Sequence, residues 1–296
     1  MKTQIITLAS AVFLAACSTG NNAYDASGTF EAVETIVSAE ASGTIKSFNI
    51  SEGQTIQKGQ TVGYIDSVQL YLKRKQLHAQ IRAVLSKRPN ISAQLSALYE
   101  QLKHAKKEQL RVANLLKSDA ATQKQYDDAT SQAAVIERQI EAQESSLDIT
   151  STSLTEEAGP LQAQIEQLND QLAKCRIVNE VNGTVLVKYA EVNETALSGK
   201  PLYKIADLSK IILRAYITGD QLSKTKLNQT ATVLVDDAQG KYKTYSGTIE
   251  WISDKAEFTP KTIQTKDERA NLVYAVKIGV VNEGFLKIGM YGEVKL

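Results

Sequence analysis

Between Leu70 and Leu116, positions 70, 74, 77, 81, 84, 88, 91, 95, 98, 102, 105, 109, 112 and 116 alternate intervals of four and three, and all are apolar except Arg74, Arg88 and Gln109. That spacing keeps one stripe on one face of a slightly underwound helix, so it predicts a coiled-coil seam of nearly seven heptads. A second run answers it at Ala133, Ile136, Ile140, Leu147, Leu154, Ala158, Leu161, Ile165, Leu168, Leu172 and Cys175. Asp119-Ala120-Ala121 separates the two as a turn. Thr122-Gln123-Lys124-Gln125 then has the pattern of a capping box that starts the second helix. Two arms of about 50 residues would reach roughly 75–80 Å at 1.5 Å per residue, and the short loop makes them antiparallel. Pro89 and Gly159-Pro160 fall inside the arms without shifting the phase, so each predicts a kink or short break.

Outside the arms the period shortens. GTIKSFNISEGQTIQKGQTVGYI (Gly43–Ile65) returns at an offset of 140 as GTVLVKYAEVNETALSGKPLYKI (Gly183–Ile205). Both copies alternate apolar and turn-forming residues every three positions: Ile50, Gly53, Ile56, Gly59 and Val62, then Ala190, Asn193, Ala196, Gly199 and Leu202. Gly and Asn tolerate positive φ, so Gly53 and Asn193 are expected to hold equivalent tight turns. One copy cannot bury its own apolar face; two facing copies can. The pattern resembles a lipoyl/biotinyl domain split into halves. The position where such a carrier holds its modified lysine reads Asp66-Ser67-Val68, without lysine, so no cofactor is expected.

From Leu208 the period is two. Ile211–Ile217, Ala231–Val235, Tyr242–Ile252, Leu272–Val280 and Met290–Leu296 read as strands, with a helical turn near Thr218–Lys224, which suggests a compact β-barrel ending the chain.

The N-terminus, MKTQIITLASAVFLAACSTG, has one Lys, an apolar run and small residues before Cys17: a signal peptide, with Leu14-Ala15-Ala16-Cys17 resembling the bacterial lipobox whose cysteine is diacylated. Ser18 to Ser27 is small and polar, a tether from lipid to folded body. With Cys175 as the one other cysteine, no intramolecular disulfide is expected in the lipidated chain. The balance of 34 Lys+Arg against 33 Asp+Glu offers nothing for a nucleic-acid partner. His78 and His104 lie ~39 Å apart on a continuous helix, too far to share a metal. The sequence has no nucleophile–base–acid set, phosphate loop or metal-ligand spacing, so a non-enzymatic role without metal is expected. Lys255, Lys261, Lys266, Asp267, Glu268 and Arg269 surround a predicted barrel loop.

The result is an elongated, multidomain α+β chain: signal peptide 1–16, anchor and tether 17–30, half-lipoyl 31–66, coiled-coil hairpin 67–176 with its tip near 117–122, half-lipoyl 177–207, β-barrel 208–296. That order resembles the periplasmic adaptor (membrane fusion protein) family over essentially the whole mature chain. AEFTPKTIQTKDERANLVYAVKI (Ala256–Ile278) with the following GFLKIGMYGEV resembles the HlyD-type adaptors of ABC exporters in particular. The resemblance implies a homo-hexameric, non-catalytic scaffold in the periplasm, lipid-anchored to the inner membrane through Cys17. It would bridge an inner-membrane transporter, of ABC or alternatively RND type, to a TolC-like outer-membrane channel. Adaptors that dock on such channels carry at the tip an Arg, a Leu four residues on, and a Ser seven beyond; here those intervals hold Arg111, Leu115 and Thr122, with Thr in place of Ser. Tip docking and plain helix capping are compatible readings of Thr122. A lipoyl- or biotinyl-carrying subunit and a coiled-coil envelope protein are the competing classes.

Overall fold

The computed structural model describes residues 24–237, 240–258 and 272–296. Cys17 and the loop residues Lys261, Lys266, Asp267, Glu268 and Arg269 lie outside the described residues.

The chain opens with β1 (Ala26–Glu31), then β2 (Glu34–Ser38), β3 (Gly43–Phe48), β4 (Thr55–Ile56) and β5 (Thr61–Ile65). Three helices follow, α1 (Val68–Leu85), α2 (Ile91–Lys117) and α3 (Gln123–Lys174). The chain returns through β6 (Arg176–Val178), β7 (Gly183–Lys188), β8 (Thr195–Ala196) and β9 (Pro201–Ala206). It ends with β10 (Lys210–Thr218), the short α4 (Gly219–Leu222), β11 (Thr230–Asp236), β12 (Tyr242–Ile252), β13 (Glu257–Phe258), β14 (Leu272–Val281) and β15 (Tyr291–Lys295).

The sequence repeat becomes a pseudo-two-fold exchange. One four-stranded sheet has the order β2-β9-β7-β4 and the other β6-β5-β3-β8, so each takes two strands from each half. The loops obey the same symmetry. Gly53 donates its N–H to the Val185 carbonyl at 2.8 Å, and Asn193, its equivalent, donates to the Ile45 carbonyl at 2.8 Å. Both residues have positive φ, 82° and 73°, as their shared place in the repeat requires. Gly59 and Gly199 repeat the arrangement on the Asn179 and Ala39 carbonyls at 2.7 and 2.8 Å. Neither half can complete a sheet without the other, so the long insertion leaves the sandwich intact. Its core is Ile45, Ile56, Ile65, Leu202, Tyr203 and Ile205, with Cys175 at the base of the hairpin. One polar pair is buried among them. The Tyr203 hydroxyl donates to Asn179 Oδ1 at 3.0 Å, and burial pushes the phenol up to about 12, so it remains a neutral donor at physiological pH. Cys175 is a small buried core residue whose thiol burial also pushes upward.

The barrel closes through β1-β15-β11-β12-β14-β10, because β10 pairs with both β1 and β14. Its predicted strands form at nearly the expected residues, and its core includes Ile211, Leu213, Val233, Ile249, Ile278 and Val294. One strand comes from elsewhere. Ala26–Glu31, read from sequence as the end of the tether and the start of the half-sandwich, is a barrel strand paired to β10 and β15. The short alternation GTF, between a polar stretch and the sandwich repeat, is too brief to announce a strand whose partners begin nearly 200 residues further along the chain, with Tyr216 opposite Ser27 and Val294 opposite Ala26.

In the hairpin, every predicted seam position of the first arm is buried or half-buried except Arg88, which falls in the break between α1 and α2, and every one on the returning arm is too. The three polar seam residues each reach across to α3: Arg74 to Asn169 Oδ1 at 2.9 Å, Gln109 to Thr130 Oγ1 at 3.2 Å, and Arg88 to the Thr155 hydroxyl. Polar residues here replace apolar packing with register-specific bonds. The two prolines behave differently. At Pro89 the first arm breaks into α1 and α2, and Asn90 caps the new helix by accepting the Ala93 N–H at 3.1 Å. His78 and His104 therefore sit on separate helices, both exposed. Pro160 lies inside α3, which runs unbroken for 52 residues. Of the two outcomes expected at Gly159-Pro160, the break does not occur. Gly159 precedes the proline without a Cβ to clash with its ring, and the seam residues Ala158, Ile165 and Leu168 on either side are buried, keeping the flanking turns helical.

Candidate functional site

The hairpin tip is built by two complementary helix ends. α2 stops at Lys117, and Asp119 takes the left-handed conformation at φ 57°. Its N–H donates to the Leu116 carbonyl at 3.1 Å, and that of Ala120 to the Leu115 carbonyl at 2.8 Å. This is the paired closure that usually needs glycine; aspartate is among the few other residues that tolerate the position. Ser118 adds its hydroxyl to the Leu115 carbonyl at 3.0 Å. The sequence located this turn, but its left-handed residue carried no glycine signal.

α3 starts with the expected capping box. Thr122 Oγ1 accepts the Gln125 N–H at 3.3 Å, while Gln125 Oε1 accepts the Thr122 N–H at 2.8 Å. Replacing Thr122 by Val removes one arm of that box, a loss of about 1 kcal/mol. The expected outcome is faster amide exchange confined to residues 118–126, with helix content unchanged by circular dichroism.

Arg111 and Leu115 lie one turn apart on the same side of α2, as their four-residue interval dictates. Arg111 is exposed and already engaged. Its guanidinium forks onto Glu108, with Nε donating to Oε2 at 2.9 Å. That hydrogen bond, more than the Coulomb attraction, raises the arginine pKa and lowers that of the glutamate. Sequence reading missed Glu108, although the three-residue spacing was its signal. Leu115 is half-buried, not fully free as its place beside the seam positions implied, while Thr122 is exposed. Arg111 and Leu115 therefore lie in the last two turns of α2 and Thr122 at the start of α3, with Leu115 joined to the turn through its carbonyl. At the sandwich, Asp66, in the stretch where a carrier would hold its lysine, is paired to Lys46 at 3.3 Å.

A split sandwich carrying a long helical hairpin, followed by a closed barrel, is the fold of the periplasmic membrane fusion adaptors. MacA from Actinobacillus actinomycetemcomitans superposes with a TM-score of 0.54 at 21% identity, covering 91% of this chain and 76% of that one. A MacA-MexA chimeric protein with the Pseudomonas aeruginosa MexA α-hairpin domain gives 0.52 at 23% identity, covering 91% and 79%. In sequence, the UPF0194 membrane protein YbhG of Salmonella gallinarum is 32% identical over 120 residues, 40% of this chain and 36% of that protein. The match thus spans about a third of the curated relative. No family model matches the chain.

Proposed function

We propose that this chain is a non-catalytic periplasmic adaptor, joining an inner-membrane exporter to a TolC-like outer-membrane channel. The observation that carries the reading is the placement of the two ends. The linkers to the sandwich, residues 32–33 and 207–209, leave the barrel at the end of β1 and the start of β10. Ala26 and Lys295 lie at the opposite end, where Asp25 donates its N–H to the Val294 carbonyl at 2.8 Å. A diacylated Cys17 would hold that end within about 27 Å of the bilayer, eight residues at full extension. The hairpin, on the far side of the sandwich, then points away from the membrane. Two acyl chains give stable attachment where one is marginal. A fatty-acid analogue is expected to label the wild-type chain, and Cys17→Ala is expected to lose both label and membrane association; equal labelling of the two removes the anchor.

In this reading Arg111, Leu115 and Thr122 meet the channel, and six copies place six tips around its mouth. The barrel faces the transporter. An ABC exporter is favoured by the HlyD-like sequence around the last long loop, and co-purification with an ATPase subunit rather than a proton-driven RND pump would decide between them. Photocrosslinkers at positions 115 and 122 are the direct test. They are expected to capture an outer-membrane channel protein; products consisting solely of linked copies of this chain would overturn tip docking.

A further inference from the structure

Two short linkers join the sandwich to the barrel, and they are held very differently. The first, residues 32–33, leaves Val33 74% exposed. The second, residues 207–209, is bonded at every residue. Asp207 Oδ1 accepts the Ser209 N–H at 2.9 Å and the Ser209 hydroxyl at 2.7 Å. The Leu208 carbonyl accepts from Asn282 Nδ2 at 2.9 Å, and the Ser209 carbonyl from the Asn282 N–H at 2.9 Å.

Asn282 is the centre of this arrangement. It follows β14 and opens the loop to β15. Its Oδ1 accepts the N–H groups of Gly284 at 2.9 Å and Leu286 at 3.0 Å, while Nδ2 also donates to the Leu286 carbonyl at 3.0 Å. Three bonds of one side-chain amide thus close a turn, and the fourth is spent on the linker. Leu286 is fully buried and seats the turn on the barrel core. The ladder between β10 and β14 ends at Lys210 and Val281. The Ser209–Asn282 bond continues it by one residue, and the bond to Leu208 by another. Mechanically, the second linker belongs to the barrel.

Beside that linker a cleft of about 1040 Å³ parts the two domains. Thr55, Gln57 and Thr184 line it on the sandwich side, and Asn282, Gly284 and Lys287 on the barrel side. With the walls apart there, the linkers set the angle between the domains. The hairpin magnifies that angle: over the 52 residues of α3, a turn of about 10° at the junction carries the tip roughly 13 Å.

We propose that Asn282 is a latch. Its side-chain amide ties residues 207–209 to the barrel and so fixes the tilt of sandwich and hairpin, leaving residues 32–33 as the pivot. Releasing the one bond to Leu208 frees the cleft to open or close. This goes beyond the adaptor reading and does not depend on it.

The test places spin labels on the full chain at exposed Lys58 of the sandwich and exposed Thr248 of the barrel, each replaced by Cys. Cys175 is buried, and the chain without added cysteines supplies the background. Asn282→Asp keeps the acceptor for Gly284 and Leu286 but puts an oxygen where the donor to Leu208 stood. The distance distribution is expected to broaden into two populations, with the unlatched fraction rising about 2- to 13-fold, the worth of one neutral hydrogen bond. Lys287→Ala, which removes only the Nζ bond to the Gly284 carbonyl within the loop, is expected to match wild type. A second label pair inside the barrel, at Thr29 and Thr248, checks that the barrel is intact. Should Asn282→Asp disturb that pair, Asn282→Ser is read by the same criterion, since its hydroxyl still accepts the Gly284 N–H as a turn. A wild-type distribution between Lys58 and Thr248 in the variant with an intact barrel overturns the latch. Equal broadening by Lys287→Ala overturns it too, because any disturbance of the loop would then suffice.

Discussion

Leu115→Asp is expected to abolish export while expression and helical content stay near normal. The seam positions on this part of α2 are Val112, which is buried, and Leu116, which is half-buried. Leu115 is outside that set, so a carboxylate there leaves the apolar contact between the arms in place. The cost to the tip itself is the apolar surface of the half-buried Leu115, a fraction of the about 1.5–3 kcal/mol of a fully buried side chain, and a dipole term. A negative charge in the last turn opposes the helix dipole by about 0.3–1 kcal/mol, and the Leu115 carbonyl that receives the Ala120 N–H is unchanged by a side-chain substitution. In an apolar docking contact the effect is much larger, since an unpaired carboxylate must be stripped of water or the contact given up. If six tips act together, the loss is repeated at each. Export of a known substrate, measured beside circular dichroism of the purified variant, checks this; normal export by Leu115→Asp would leave the turn as only a turn.

Deleting Ala26–Glu31, with the leader and Cys17 kept, is expected to destroy the barrel. A tether would tolerate the loss, as replacing residues 18–23 by Gly and Ser of equal length should. A strand closing the barrel will not. Without it, β10 and β15 lose their shared neighbour and the sheet acquires two open edges. Phe30, only 1% exposed, leaves the core with it. Truncating a buried Phe to Ala alone costs about 3–5 kcal/mol, a large part of the about 5–15 kcal/mol that holds a domain folded. Gly28 shows how closely β1 is fitted, since a Cβ there would come within 1.9 Å of the Arg214 carbonyl oxygen. The measurement is steady-state level and protease resistance of the chain. Wild-type resistance in the deletion would mean that the barrel closes without β1.

The two predictions differ in what made them visible. Leu115 was singled out from sequence intervals at a predicted turn, and the structure places it at a capped tip. β1 became visible only in three dimensions. The same division runs through the molecule. Local periodicity identified the hairpin seam because each seam residue meets its helical neighbours every three or four positions, whatever lies beyond. The 140-residue repeat identified the sandwich, and the equivalence of Gly53 and Asn193 followed because positive φ restricts which residues can stand there.

What lay outside local reach was decided by packing between distant segments. Pro89 and Pro160 carry the same chemistry, yet one ends a helix and the other does not, because the outcome depends on the preceding residue and on the seam contacts that hold the flanking turns. Asp119 adopts a glycine-like conformation because both helix ends must close at the tip, and Arg111 is paired with Glu108 on its own helix. By itself, then, the sequence determined the elements and their order: the seam, the repeat, the alternating strands and the capped turn. The tertiary structure alone decided which strands share a sheet, that the N-terminal segment closes the barrel, and that the second linker is bonded to Asn282. Those outcomes turn on hydrogen-bond edges and buried surface brought together from far apart in the chain, and no local period encodes them.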